Sequence, residues 1–217
     1  NRATTAARQP GSTWKLFVYL TAFENGYSPD SRVMDEPAAI DGWQPHNDDG
    51  RYHGEISLRS AFAYSVNTVA AELASQLGTT KVADMARRLG ISTPISNLPS
   101  MALGTSDVHL FEMTHAYSVM ARAGLDSPPF GIEKVTSAGR LLYAHHDISP
   151  HMVLQPWVAA EMTDLLQAVV ANGTGKGARI DRPAAGKTGT TNNGKDGWFI
   201  GFSGGLTTGV WMGRDDS

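Results

Sequence analysis

Residues 185–213 read AGKTGTTNNGKDGWFIGFSGGLTTGVWMG. Threonines, aromatics and β-branched residues fill this stretch, and Gly, Asn and Asp punctuate it. It divides into three runs of strand length, GKTGTT, DGWFIGFS and LTTGVWMG. They predict three adjacent antiparallel strands that close a sheet at the end of the chain.

Upstream, the apolar period changes. Residues 12–24 place Trp14, Leu16, Phe17, Leu20, Ala22 and Phe23 at the spacing of a largely buried helix, which Asn25-Gly26 ends. Ser57–Leu77 is helical up to Gly78, and Thr80–Leu89 up to Gly90, with Thr79 or Thr80 as its cap. Leu110–Ala123 ends at Gly124, and Pro156–Ala171 carries its proline in the first turn. Residues 132–145, IEKVTSAGRLLYAH, form a hairpin around Ala138-Gly139. Residues 27–54 are rich in Pro, Asp, Asn and Gly and form a long surface excursion. A helical region over 57–172, packed on closing strands over 184–213, gives an α+β fold: a helical lobe on an antiparallel β-sheet, in one domain spanning 1–217.

Composition excludes several functions. At 41% hydrophobic and 18% charged residues with a net charge of −3, the chain offers no basic face to nucleic acid. No apolar run approaches the ~18 residues of a membrane helix. The absence of cysteine excludes disulfides, thiolate metal ligands and a cysteine nucleophile. The chain opens on NRATTAARQ without a methionine and stops at GRDDS. The expectation is a piece of a longer protein, whose first sheet strands and membrane anchor precede residue 1.

Three short motifs allow chemistry. In PGSTWKLF (10–17), Ser12 and Lys15 are three residues apart, on one face of a helix start. A serine hydroxyl becomes a nucleophile when a nearby base takes its proton, and burial beside a second cation makes lysine such a base. Alone, the pair reads equally as a helix cap with a solvated lysine, since about half an S-x-x-K is expected by chance. In AFAYSVNTVAAEL (61–73), Ser65 and Asn67 interrupt an apolar helix. They form either a kink or a polar pair facing a cleft. Lys187-Thr188-Gly189, expected by chance only about once in twenty such chains, reads as a strand end or as an edge strand that takes an extended peptide. Each motif occurs once, in the order S-x-x-K, S-x-N, K-T-G, the triplet of penicillin-binding proteins and serine β-lactamases.

With these motifs in order, the chain resembles the transpeptidase domain of class A, bifunctional penicillin-binding proteins. NRATTAARQPGSTWKLFVYLTAFENG (1–26) resembles the family's active-site helix, here over about 12–25. ALGTSDVHLFEMTHAYSVMARAG (102–124) resembles its internal helical region, and 185–213 its closing strands. The resemblance implies that Ser12 is the acylated nucleophile and Lys15 its base. Ser65 relays a proton, Asn67 holds the acyl-donor backbone, and Lys187 supports the electrostatics. Thr188, Gly189 and Thr190 bind substrate, the threonines through its carboxylate, and Trp14 touches substrate beside the nucleophile. The backbone N–H groups of Ser12 and Thr190 form the oxyanion hole.

The reaction implied is attack on the D-Ala–D-Ala bond of a peptidoglycan stem peptide, then acyl transfer to the amine of a neighbouring stem. β-Lactams acylate the same serine. No metal or cofactor is implied. The implied partners are donor and acceptor stems and an upstream glycosyltransferase domain, and the implied location is the periplasmic face of the bacterial cytoplasmic membrane. A D,D-carboxypeptidase, a β-lactamase or a non-catalytic β-lactam sensor would share the fold. Against a class A β-lactamase stand Val66 in place of aspartate and the lack of an Asn four residues after Glu72, Glu112, Glu133 or Glu161.

Two further patterns are set aside. Gly201–Gly205 matches G-x-S-x-G, but a strand follows it where a nucleophile elbow needs a helix. Gly173–Gly177 lacks the Ser/Thr of a phosphate loop. His145, His146 and His151 read as solvated loop residues rather than metal ligands.

Overall fold

A computed structural model of the chain describes residues 1–146, 149–191 and 194–214. Asn192 and Asn193 of the quoted stretch lie outside them. The chain begins with α1 (Arg2–Thr5) and β1 (Ala7–Arg8), then a 3-10 turn over Gly11–Trp14 that runs straight into α2 (Lys15–Glu24). Next come β2 (Arg32–Asp35), β3 (Gly54–Ser57), α3 (Leu58–Ala63), α4 (Asn67–Leu77) and α5 (Thr79–Arg88). The middle holds β4 (Val108–His109), α6 (Leu110–Ala121), β5 (Leu125–Asp126), β6 (Lys134–Ser137), β7 (Arg140–Ala144) and β8 (His151–Met152). The chain closes with α7 (Pro156–Ala171), β9 (Ala185–Thr190), β10 (Asp196–Ser203) and β11 (Leu206–Gly213).

The closing strands form one antiparallel sheet in the order β11-β10-β9, with Trp198 opposite both Gly189 and Trp211. Ser203 pairs with Leu206 across Gly204-Gly205, both at positive φ. G-x-S-x-G is therefore a two-residue hairpin turn. Helices α6 and α7 pack against the sheet. Beneath them α2 is the central helix, with every residue from Lys15 to Phe23 buried. A helix apolar on nearly all sides has no solvent face to offer, so it goes inside. Trp14 meets Phe17 edge-on at 4.7 Å, and Tyr19 meets Phe62 at 4.8 Å. Gly26, at φ +92°, ends α2 as expected: Tyr27 N–H reaches back to Ala22 O.

Three expectations change. The active-site helix opens as a 3-10 turn, because Gly11 and the packing of β9 tighten its first residues. The helix over 57–77 breaks in two at Tyr64-Ser65-Val66, where Ser65 takes φ +60°. The excursion over 27–54 is partly ordered as an antiparallel ribbon, with Arg32 opposite Ser57 and Asp35 opposite Gly54. Its strands are only four residues long, too short for alternation to stand out from the surrounding turn residues.

Candidate active site

Ser12 sits in the 3-10 turn at the tip of α2, packed against β9. The approach is so close that only glycine fits at two positions. A Cβ on Gly11, already at φ +52°, would lie 2.2 Å from Thr190 O, and one on Gly189 would lie 2.4 Å from Pro10 O. The residue before Ser12 therefore rests on the backbone of Thr190. Two buried hydrogen bonds fix the turn: Thr13 Oγ1 donates to Pro10 O at 2.8 Å, and Tyr117 Oη of α6 donates to Thr13 O at 2.8 Å.

The break between α3 and α4 supplies the opposite wall. Ser65 is a non-glycine residue in the left-handed region, a conformation that persists only where surrounding contacts enforce it. Those contacts are Val66 N–H to Ala61 O at 2.8 Å and Ser65 N–H to Phe62 O at 3.1 Å. The break turns Ser65 toward two lysines. Lys15 Nζ donates to Ser65 O at 2.7 Å and to Asn67 Oδ1 at 2.6 Å, and lies 3.2 Å from Ser65 Oγ. From β9, Lys187 Nζ donates to Ser65 Oγ at 2.9 Å and to Thr188 O at 3.1 Å. The structure thus gathers Lys15, Ser65, Asn67 and Lys187 into one hydrogen-bonded cluster at the base of the turn that carries Ser12.

Both lysines are fully buried. Burial is the main cause that pushes the Lys15 ammonium well below the usual lysine range, and the neighbouring Lys187 cation pushes it further, against an opposing pull from Asp48. Burial lowers Lys187 to about 7, again opposed by Asp48. Two amines sharing a dry pocket cannot both remain charged, so the site holds a neutral amine near neutral pH.

A cleft of about 500 Å3 is lined by Ser12, Ser65, Thr188, Gly189, Thr190 and Asp48. A second cavity of about 630 Å3 shares Ser12 and Thr190 and adds Asn67 and Gly11 to its walls. Ser12 is thus reachable from two sides. Thr188 Oγ1 is hydrogen-bonded to Thr174 Oγ1 at 2.6 Å. Trp14 departs from its expected role: it is 0% exposed, with Nε1 directed at Met101 Sδ at 3.2 Å. Its place in the helix points it into the core, so it has no surface to offer a substrate.

The sequence reading missed the wall built by residues 46–48. Asn67 Nδ2 donates to His46 O at 2.9 Å and to Asp48 Oδ1 at 3.0 Å, and Asn67 N–H donates to Asn47 Oδ1 at 2.8 Å. These residues lie in the excursion over 27–54. Locally, PHNDDG reads only as turn chemistry, and nothing in it distinguishes a buried asparagine from a solvated one. Among the described residues, no three His, Asp or Glu side chains gather as a metal site. His151 Nε2 lies 3.9 Å from Asp126 Oδ2.

The sequence profile of the penicillin-binding protein transpeptidase domain matches residues 1–208. Penicillin-binding protein 1A of Aquifex aeolicus is 36% identical over 223 residues, covering 99% of this chain and 30% of that protein. The chain thus spans less than a third of that relative's length. The crystal structure of penicillin-binding protein 1A from Haemophilus influenzae superposes with a TM-score of 0.91 at 27% identity, covering 100% of this chain and 39% of the other. PonA1 from Mycobacterium tuberculosis, in complex with penicillin V, gives a TM-score of 0.89 at 28% identity, covering 99% and 62%.

Proposed function

The chain belongs to the penicillin-binding protein transpeptidase family, and from that premise we propose that it is a peptidoglycan D,D-transpeptidase domain acting through an acyl-Ser12 intermediate. The observation that carries this reading is the buried lysine pair closing on Ser65 beneath the turn of Ser12.

Besides Val66 O at 3.4 Å, Lys15 has two closer partners that can only accept, Ser65 O and Asn67 Oδ1. A neutral amine satisfies them with its two hydrogens and keeps a lone pair for the Ser12 Oγ proton. Deprotonated Oγ attacks the carbonyl carbon of the penultimate D-Ala. The tetrahedral oxyanion is held by the backbone N–H groups of Ser12 and Thr190. As the C–N bond breaks, Ser65 Oγ passes a proton to the leaving D-Ala amine and is reprotonated from Lys15 or Lys187. The acyl ester is then attacked by the amine of a second stem. By microscopic reversibility that amine gives its proton to the same relay, and Ser12 is regenerated with its hydrogen.

Thr188 and Thr190 bind the substrate carboxylate, and the side of β9 away from β10, unpaired among the described strands, takes the extended stem by strand addition. The cleft beside Ser12 is lined by Asp48 and Asp49 but by none of Glu72, Glu112, Glu133 and Glu161, and Asp48 Oδ1 accepts from Asn67 Nδ2; we read this as favouring transfer to an amine over the hydrolysis of a β-lactamase. The domain works outside the cytoplasmic membrane, where stem peptides are found, in a protein that also carries a glycosyltransferase domain. No helix among the described residues is long and apolar enough to cross a membrane.

Labelling with a fluorescent penicillin, followed by intact-mass analysis, tests this reading. A long-lived adduct on Ser12, absent in Ser12→Ala, is the expected result. Folded protein that forms no adduct overturns acylation, and an adduct lost within seconds points to a β-lactamase.

A further inference from the structure

Asn67 is the first residue of α4, and that helix begins without a cap of its own. The residue before it, Val66, has no side-chain acceptor to offer. The first N–H groups of a helix need partners, and a buried start without them is destabilised. The partner here comes from twenty residues upstream. Asn47, 8% exposed, accepts from Asn67 N–H at 2.8 Å and from Thr68 N–H at 3.3 Å through the same Oδ1. Asn47 thus caps α4 from another segment.

Asn47 is itself held. Its Nδ2 donates to Arg51 O at 2.8 Å and to Asp35 Oδ1 at 2.8 Å. Asp35 ends β2 and is 0% exposed. It also accepts from Thr68 Oγ1 at 2.5 Å, and from His53 N–H at 2.8 Å, with His53 Nδ1 another 2.8 Å contact. An isolated carboxylate is expensive to bury, and this one is tolerated because hydrogen bonds surround it. Burial alone would raise its pKa, but the bonds from Thr68, Asn47 and His53 hold it below the usual carboxylate range. The charge therefore persists at neutral pH. It orients the Asn47 amide with its NH2 toward Asp35, which leaves the oxygen for α4.

The consequence reaches the catalytic lysine. Asn47 pins residues 46–48 over Asn67, and the flanking His46 O and Asp48 Oδ1 take both Nδ2 hydrogens of Asn67. The Asn67 oxygen is then left facing Lys15 Nζ at 2.6 Å. We infer that Asp35 and Asn47 are positioning residues for Ser12 acylation: through the cap on α4 they set which way the Asn67 amide faces, and so where Lys15 is held. Asp35 lines neither cavity beside Ser12; Asn47 lines both, but its amide is taken up by Asp35, Arg51 and α4. The inference rests on the acyl-serine reading above.

The test measures second-order acylation by fluorescent penicillin in wild type, Asn47→Ala, Asn47→Ser and Asp35→Asn. The rate constant is the readout, because partial unfolding lowers the labelled amount but not the rate of the molecules that remain folded. Asn47→Ala and Asp35→Asn are expected to acylate about tenfold or more slowly, the size of loss that misplacing a catalytic group produces. Asn47→Ser, the smaller change, loses less and covers the case in which Asn47→Ala does not fold. Single variants with the wild-type rate constant overturn the inference, as does an Asn47→Ser no faster than a folded Asn47→Ala. Wild type that forms no adduct fails the acyl-serine reading instead, so the two failures are distinguishable.

Discussion

Lys187 is the residue whose charge reaches furthest into the site. It shares Ser65 Oγ with Lys15 and lies 5.6 Å from the centre of the Phe62 ring. Its positive charge helps keep Lys15 neutral. Lys187→Met keeps the length of the side chain and removes that charge, so the Lys15 pKa should rise. The acid limb of the acylation rate, measured with fluorescent penicillin between about pH 5 and pH 10, is then expected to move to higher pH. A limb that stays in place would remove Lys187 from that role. Sequence spacing marked both lysines, but it left open what would neutralise Lys15. Burial and Lys187 do so, while Trp14 packs into the core behind the turn.

At the scale of elements, two junctions aim the chemistry. One is the break between α3 and α4. There Ser65 carries a left-handed backbone, which costs an L-residue about 1–2 kcal/mol. Ser65→Ala and Ser65→Gly both remove the hydroxyl and should both acylate poorly. In urea unfolding, Ser65→Gly is expected to be the more stable by about 1 kcal/mol, because glycine relieves the strain. Equal stability would mean that the break is unstrained. The other junction is the contact between the turn of Ser12 and β9. Gly11→Ala combines a positive φ with a backbone overlap at Thr190 O. It should cost about 3 kcal/mol of stability and slow acylation sharply. Both junctions were partly visible in the sequence. Ser12 and Lys15 marked a helix start, and Ser65 with Asn67 marked a polar interruption of an apolar helix. The direction of the first turn depends on Thr190, far along the chain, and the start of α4 after the second depends on Asn47, which no local pattern connects to them.

For the whole molecule, the buried lysines set a dependence of stability on pH. Lys187 has a folded-state pKa near 7, against about 10.5 in an unfolded chain. Between those values the unfolded state binds more protons, so stability rises with pH across that window, and the destabilisation is complete below about pH 7. Lys187→Met should therefore melt several degrees higher than wild type near pH 7, and the difference should shrink toward pH 10. A constant difference across that range would contradict the buried, lowered lysine. The three closing strands, the buried central helix and the order of the three motifs were set by the sequence itself. Strand pairing, helix burial and nucleophile–base spacing are written in short-range periodicity and in the spacing of a few residues. Tertiary structure alone decided the fate of residues 27–54. Asp35 and Asn47 look like any turn residues along the chain, yet they become a buried hydrogen-bonded cap on α4. The difference lies in desolvation, which a residue acquires from what packs over it rather than from its neighbours in sequence.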